Sequence, residues 1–332
     1  MRPPGVSWHI SCGGLGAGAH YGTLVTKVGI PHGGVRTRER EVAHLSLDFV
    51  LDMAGGGIPG LKTLDCLLTM AINQANIAPL TRDPAARSRY GALEAPAPDD
   101  ERRPVSVRAV AASMRLPYET ARRHIRRLEA RGVCKLSAAG VVVTEAYLGS
   151  PDYIEAVRRG HERLFLLYQD LRSRDLLDRL PPSHYLEGEP PVRAAARLMS
   201  DYLLRTAEAL VGRTGELIAG LVLLPLLAGS AGVERPDAVA GVSVAALSRR
   251  IGVPAETVRR HAAELVAAGV CRQGPAGLCL VDADFEAGVW AGFLRENVAA
   301  VQRMFAGLAE RGVVDAWDRA AGLAAHRSNG AA

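Results

Sequence analysis

The sequence predicts a mainly α-helical chain with two small β-hairpins, built as two copies of one unit. Three observations carry this. Val105 to Cys134 and Val242 to Cys271, 137 positions apart, share 15 of 30 residues without a gap. An internal repeat fixes architecture, because both copies must solve the same local folding problem. In each copy apolar residues recur at helical spacing up to a glycine, and a short β-prone run follows.

Composition bounds the rest. At 332 residues the chain is long enough for two or three cores, and its 48% hydrophobic content argues against wholesale disorder. The net charge of +5 and pI near 9.1 suit a polyanionic partner without requiring one. Cys12, Cys66, Cys134, Cys271 and Cys279 form no C-x-x-C pair and are odd in number, so neither a disulfide scaffold nor a cysteine zinc site is expected. Cys134 and Cys271 are equivalent in the repeat and read as small buried strand residues. No secretory signal pattern opens the sequence. The longest apolar stretch, Leu217 to Val233, falls short of the ~20 residues of a membrane helix, and Pro225 interrupts it. A buried core helix in a cytoplasmic protein is expected there.

Residues 1–38 are rich in Gly and Pro and show no apolar period. Gly13 to Gly18 fits neither phosphate-loop pattern, so this segment reads as disordered, or as translation from a start placed too far upstream. Residues 39–80 form a helical segment: Leu45, Phe49, Leu51 and Met53 precede a glycine-rich break, and Leu64 to Ile77 follows it. Residues 81–104 hold four prolines and are expected to be a polar hinge. Residues 105–180 carry the first repeat and a long amphipathic helix from Asp152, stopped at Pro181-Pro182.

The pattern then restarts in a helical segment at 190–233. Arg197 to Leu204 (RLMSDYLL) aligns with His44 to Leu51 (HLSLDFVL), and residues 217–228 with 64–75, at an offset of 153. The second repeat and its long helix (283–311) occupy 240–317, and 318–332 is a polar tail.

Within the repeat, Ser106 caps a helix from Val107 to about Met114. The turn is Met114 to Pro117, matched by Ile251 to Pro254, where Gly252 suits a positive φ. The next helix runs Pro117 to Arg131 and starts on a proline, whose missing N–H has no partner to lose at a first turn. Ala121, Ile125 and Leu128 mark its buried face, as Val258, Ala262 and Leu265 do in the second copy. Tyr118, Glu119, Arg122, Arg123 and Arg126 lie outward or flanking. Gly132 and Gly269 end the helices. A short hairpin follows, with Gly140 and Gly277 in register.

A helix pair followed by a hairpin is the winged form of a helix-turn-helix. On the shared Pro-x-Glu-Thr-x-Arg-Arg-His helix, the following Leu and Gly-Val, and the hairpin, each copy resembles bacterial winged helix-turn-helix transcription regulators, the broad class containing the GntR, MarR and IclR families. The resemblance covers about 45 residues of each copy. It implies two tandem winged helix-turn-helix domains joined by long helices: a mainly α fold with small β-wings. A tandem pair within one chain departs from the usual single module per subunit.

That resemblance implies double-stranded DNA as the partner. The DNA-contacting candidates are Tyr118, Thr120, Arg122, Arg123, Arg126 and Arg127 in the first copy and Thr257, Arg259 and Arg260 in the second. Arginine clamps phosphate or reads guanine with two hydrogen bonds, which is why the Arg-Arg pairs rank first. Residues 102–136 hold ten Lys/Arg against Glu119 and Glu129, while 239–273 hold five Arg against Glu256 and Glu264. The first module should therefore grip DNA harder. His124 and His261 read as packing or phosphate-contacting residues rather than metal or pH sensors.

The expected function is a sequence-specific transcription regulator, reading two half-sites per chain, or four in a homodimer. Segments 45–80 and 190–230 are candidates for a small-molecule effector pocket or a dimer interface. A plasmid-type replication initiator is one alternative; a winged-helix protein-interaction or chromosome-architecture factor is another. No paired carboxylates, nucleophile motif or metal-ligand spacing points to an enzyme, a cofactor or a metal.

Overall fold

A computed structural model describes residues 37–55, 57–184, 192–233, 241–281, 285 and 288–321. The readings for 1–36 and for the tail beyond 321 lie outside the described residues.

The protein is mainly helical with two antiparallel two-stranded sheets. The first copy comprises α1 (Arg38–Gly55), α2 (Thr63–Ile77), α3 (Pro84–Arg89), a 3-10 turn (Asp99–Glu101), α4 (Val107–Ser113), α5 (Tyr118–Ala130), β1 (Cys134–Ser137), β2 (Gly140–Val143), α6 (Glu145–Leu148) and α7 (Pro151–Ser173). The second comprises α8 (Val192–Thr214), α9 (Leu217–Ala231), α10 (Val244–Ile251), α11 (Ala255–Ala267), β3 (Cys271–Gly274), β4 (Gly277–Leu280), α12 (Gly288–Glu310) and α13 (Val313–Ala320).

Local chemistry sets the repeat elements. Ser106 and Ser243 Oγ accept from the N–H of Ala109 and Ala246, capping α4 and α10. Pro117 and Pro254 stand at the N-cap positions of α5 and α11, one residue earlier than the sequence suggests. Ala121, Ile125 and Leu128, and Val258, Ala262 and Leu265, are buried as expected, and His261 joins the second set. Cys134 pairs with Val143 and Cys271 with Leu280 in the two hairpins. Val105 and Val242 bridge to Val141 and Leu278, adding a third backbone segment to each hairpin. Gly140 (φ 135°) and Gly277 (φ 131°) lie against these segments, where a Cβ would come within 2.6 Å of Val105 O or 2.4 Å of Val242 C. The two-fold recurrence of glycine there reflects this close approach.

Helix ends differ from the sequence reading in several places. α7 stops at Ser173, before Pro181-Pro182; Asp175 takes φ 55° and Leu176 N–H returns to Leu171 O. The second long helix stops at Glu310, and Gly312 at φ 73° starts α13. Pro225 does not interrupt α9, which runs through it; it removes one backbone hydrogen bond, and packing on both sides offsets the loss.

Segment 81–104 is not a free hinge. Arg193 of α8 donates to the carbonyls of Ala92, Leu93 and Leu148, Arg197 to Tyr90 O, and buried Arg102 to Ala97 O. Burial lowers the pKa of Arg197 to about 10. These carbonyls satisfy guanidiniums where few carboxylates are at hand, and they staple the segment to the core.

The two copies share one hydrophobic core rather than forming separate domains. α1 packs on α9 and α12 of the other copy, and α8 packs reciprocally on α2 and α7. At the centre, Tyr202 Oη donates to Asn297 Oδ1 (3.0 Å) and Asn297 Nδ2 donates to Ser46 Oγ (2.8 Å), joining α8, α12 and α1 through buried side chains. Thr63 Oγ1 donates to Ile251 O (2.6 Å), fastening α2 of one copy to α10 of the other. Among the described residues no single helix is long and apolar enough to cross a membrane. α8 and α9 are apolar enough only together, bend 104° from each other, and contribute many buried residues to the core.

Candidate nucleic-acid interface

α5 shows one face to the core and one to solvent, and the solvent face is basic. Tyr118 is 44% exposed, with the Arg108 guanidinium 5.9 Å from its ring centroid. Arg123 and Arg126 are exposed, Arg122 and Thr120 partly so. Arg122 Nη1 lies 3.4 Å from Glu119 Oε2, a solvated contact that a phosphate can displace. Arg115 occupies the turn before α5 at φ 46°, the position of Gly252 (φ 64°) in the second copy.

Arg127 is differently placed. Its Nη2 donates to both carboxylate oxygens of Asp65, at 2.7 Å each, and His124 Nδ1 stands 2.7 Å from Asp65 Oδ1. Asp65 belongs to α2, and its side chain is 2% exposed. Burial alone would raise its pKa; hydrogen bonds from His124 and Arg127 outweigh burial and hold the carboxyl below its ordinary value. Arg127 is thus an anchor of α5, not a free cation of its outer face. Arg131 likewise donates to Gly60 O, and Arg102 is buried. Of the ten basic residues counted in 102–136, Arg102 is buried, Arg127 and Arg131 are exposed but tied to Asp65 and Gly60, and the other seven, Arg103, Arg108, Arg115, Arg122, Arg123, Arg126 and Lys135, are exposed or partly exposed. The Asp65 anchor was not found from sequence; a lone aspartate in an apolar helix (LDCLL) is its only signal.

The second copy is closer to neutral. Arg259 pairs with Glu256, Arg260 Nε lies 3.9 Å from Glu264, and Arg250 Nη2 lies 3.3 Å from Asp48. Thr257 is partly buried. His261, buried at 3%, has Nδ1 2.8 Å from Glu264 Oε2 and 3.6 Å from Glu216 Oε2. Glu264 occupies the position of Arg127 and His261 that of His124. The same histidine position therefore meets an acid in each copy, from a different element each time.

The helical segments 45–80 and 190–230 pack on each other within the chain. Between α2, α8 and the α4–α5 turn they leave a cavity of about 390 Å³, lined by Ala75, Arg103, Met114, Arg115, Leu204 and Val211 among others. Cys134 and Cys271 are buried, and burial pushes both thiols up to about 12, which leaves no thiolate at neutral pH. No family model, curated protein or solved structure matches the chain.

Proposed function

We propose that the chain is a sequence-specific DNA-binding transcription regulator, in which each repeat is a winged helix-turn-helix module and α5 and α11 are the helices presented to the major groove. The carrying observation is the α5 surface. A cluster of exposed arginines lies on one side of a helix whose other side is fixed to the core by Ile125, Leu128 and the Asp65–Arg127 contact. Rigid support on one face and solvent-facing cations on the other is what a groove-reading helix needs, because DNA contacts are then made with less ordering cost.

The first module supplies most of the affinity in this reading, since it carries ten Lys/Arg against five in the second, where Glu264 also replaces Arg127 beside Arg260. Tyr118, Thr120, Arg122, Arg123 and Arg126 make the contacts in the first module, and Thr257, Arg259 and Arg260 make weaker ones in the second. Arg127 acts by positioning α5. The reciprocal packing of the copies gives one chain the paired arrangement that a homodimer supplies in single-module proteins. The cavity beside Met114 and Arg115 adjoins the turn that sets the angle of α5, so it is the place for a small-molecule effector to act.

The test is binding of the full chain to random-sequence duplex DNA across a salt series, followed by selection of bound sequences. The expected result is a slope of log K against log salt of about −4 to −6, corresponding to about five or six phosphates neutralised, and an enriched two-part motif. Absence of binding at low salt overturns the reading and moves the modules to protein interaction.

A further inference from the structure

We infer that Glu216, His261 and Glu264 form a binding site for one divalent transition-metal ion of the zinc class. The three residues come from two elements: Glu216 is the N-cap of α9, while His261 and Glu264 lie one turn apart on α11. One ligand atom from each lies within 4.8 Å of the others.

Distances fit such an ion. Zinc binds imidazole nitrogen and carboxylate oxygen at about 2.0–2.2 Å, so two ligands at a tetrahedral angle stand about 3.3–3.5 Å apart. His261 Nδ1 lies 2.8 Å and 3.6 Å from the two glutamate oxygens, which brackets that separation. Small rotations of the glutamates, both more than half exposed, bring the set into place.

His261 itself points to a missing partner. Nδ1 is closed off from solvent and makes no aligned hydrogen bond, although a carboxylate oxygen is 2.8 Å away. A buried polar atom without a directed partner is uncommon and calls for an explanation. With the Arg260 donor at Nε2, the ring proton belongs on Nδ1 facing the two carboxylates, and a bound dication takes that proton's place.

The repeat adds an independent argument. In the first copy the histidine, Asp65 and a cation meet, and the cation is the Arg127 guanidinium. In the second copy Arg127 is replaced by Glu264, so two acids and a histidine converge where the chain had supplied its own positive charge. A bound dication restores the balance. Among the described residues, the cation paired with this cluster is Arg260, whose Nη2 is 3.2 Å from His261 Nε2 and whose Nε is 3.9 Å from Glu264. With an ion on Nδ1, Nε2 carries the ring proton, and the largely exposed Arg260 turns to solvent. Water fills the remaining coordination position, and the ion clamps α11 to the start of α9. This site does not depend on the DNA-binding reading.

The experiment titrates zinc chloride into the chelator-treated full chain against a chromophoric chelator, with melting temperature as a second readout. Wild type is expected to bind one ion that raises its melting temperature. Glu216→Gln and Glu264→Arg are expected to weaken that ion by more than about 100-fold, beyond the loss of an outer partner. Glu264→Arg copies the first repeat and keeps the fold, as unchanged circular dichroism will show. Arg260→Ala is expected to tighten binding. Zinc affinity and thermal response equal in wild type and both glutamate variants place the ion elsewhere and overturn the assignment, as does no binding at all.

Discussion

Phe49 and Tyr202 occupy equivalent positions of the two copies at the offset of 153, and they pack on each other with ring centroids 6.5 Å apart. Equivalent residues meet in this way where two copies are related by a local two-fold. α1 and α8, which carry them, each lean on the partner copy, so neither half has a closed core alone.

Residues 37–184 expressed alone are therefore expected to expose the α1 and α2 faces that α9, α12 and α8 cover. Such a fragment should bind a hydrophobic dye and melt without a cooperative transition, while the full chain unfolds in one step. A fragment that melts sharply and stays monomeric would show that each copy closes its own core.

Asp65→Asn is expected to destabilise the chain by about 1–3 kcal/mol at pH 7, since a nearly buried carboxylate loses charge-assisted hydrogen bonds while Arg127 stays half-solvated. The Asp65 pKa is lowered from 3.8 in the folded chain. Its stabilisation is therefore full above the unfolded value and is lost as pH falls through the lower folded value. Denaturant melts of both proteins should differ at pH 7 and begin to converge only as the pH falls below the unfolded value of 3.8. Equal stability at pH 7 would remove the anchoring role.

The two arginine pairs are expected to be unequal. Arg122→Ala with Arg123→Ala should weaken DNA by more than about 100-fold and flatten the salt slope by about 2. Arg259→Ala with Arg260→Ala should cost less than about tenfold, because the second module carries half the basic residues of the first and Glu264 faces Arg260 where the first copy has Arg127. Fluorescence anisotropy on one duplex compares them, and equal losses would refute the charge argument.

Gly140→Ala and Gly277→Ala each force a Cβ onto backbone at a φ that L-residues avoid, and each is expected to cost about 2–4 kcal/mol. Gly229→Ala, a helical glycine with no atom within 4 Å of an added Cβ, should be neutral or stabilising. Thermal melts of the three variants will separate them; similar melting temperatures would mean that the hairpins relax at no cost.

Cys134 and Cys271, with thiols pushed up to about 12, should not react with a disulfide reagent at pH 8 until the chain unfolds. Fast native labelling at either position, located by peptide mapping, would contradict their burial.

The local features legible in the sequence are those governed by neighbours along the chain. Ser106 and Ser243 caps, glycine-terminated helices, the buried triads of α5 and α11 and the presence of the two hairpins all follow from spacing and residue type. Pro225 and the Pro-rich segment were misleading because breakers report local preference, while burial of α9 and the carbonyl contacts of Arg193 decide the outcome. For the candidate interface, the sequence marks which arginines point outward but not which of them bind carboxylates.

By itself the sequence determined the repeat, its helix pair and hairpin, and the greater basicity of the first copy, because periodicity, capping and charge are written in adjacent residues. Only the tertiary structure decided that the copies share one core, that Asp65 of α2 holds Arg127 of α5, and that Glu216 meets His261 and Glu264. Those relationships join residues tens to hundreds of positions apart, and packing of the buried helices, not any local preference, brings them together.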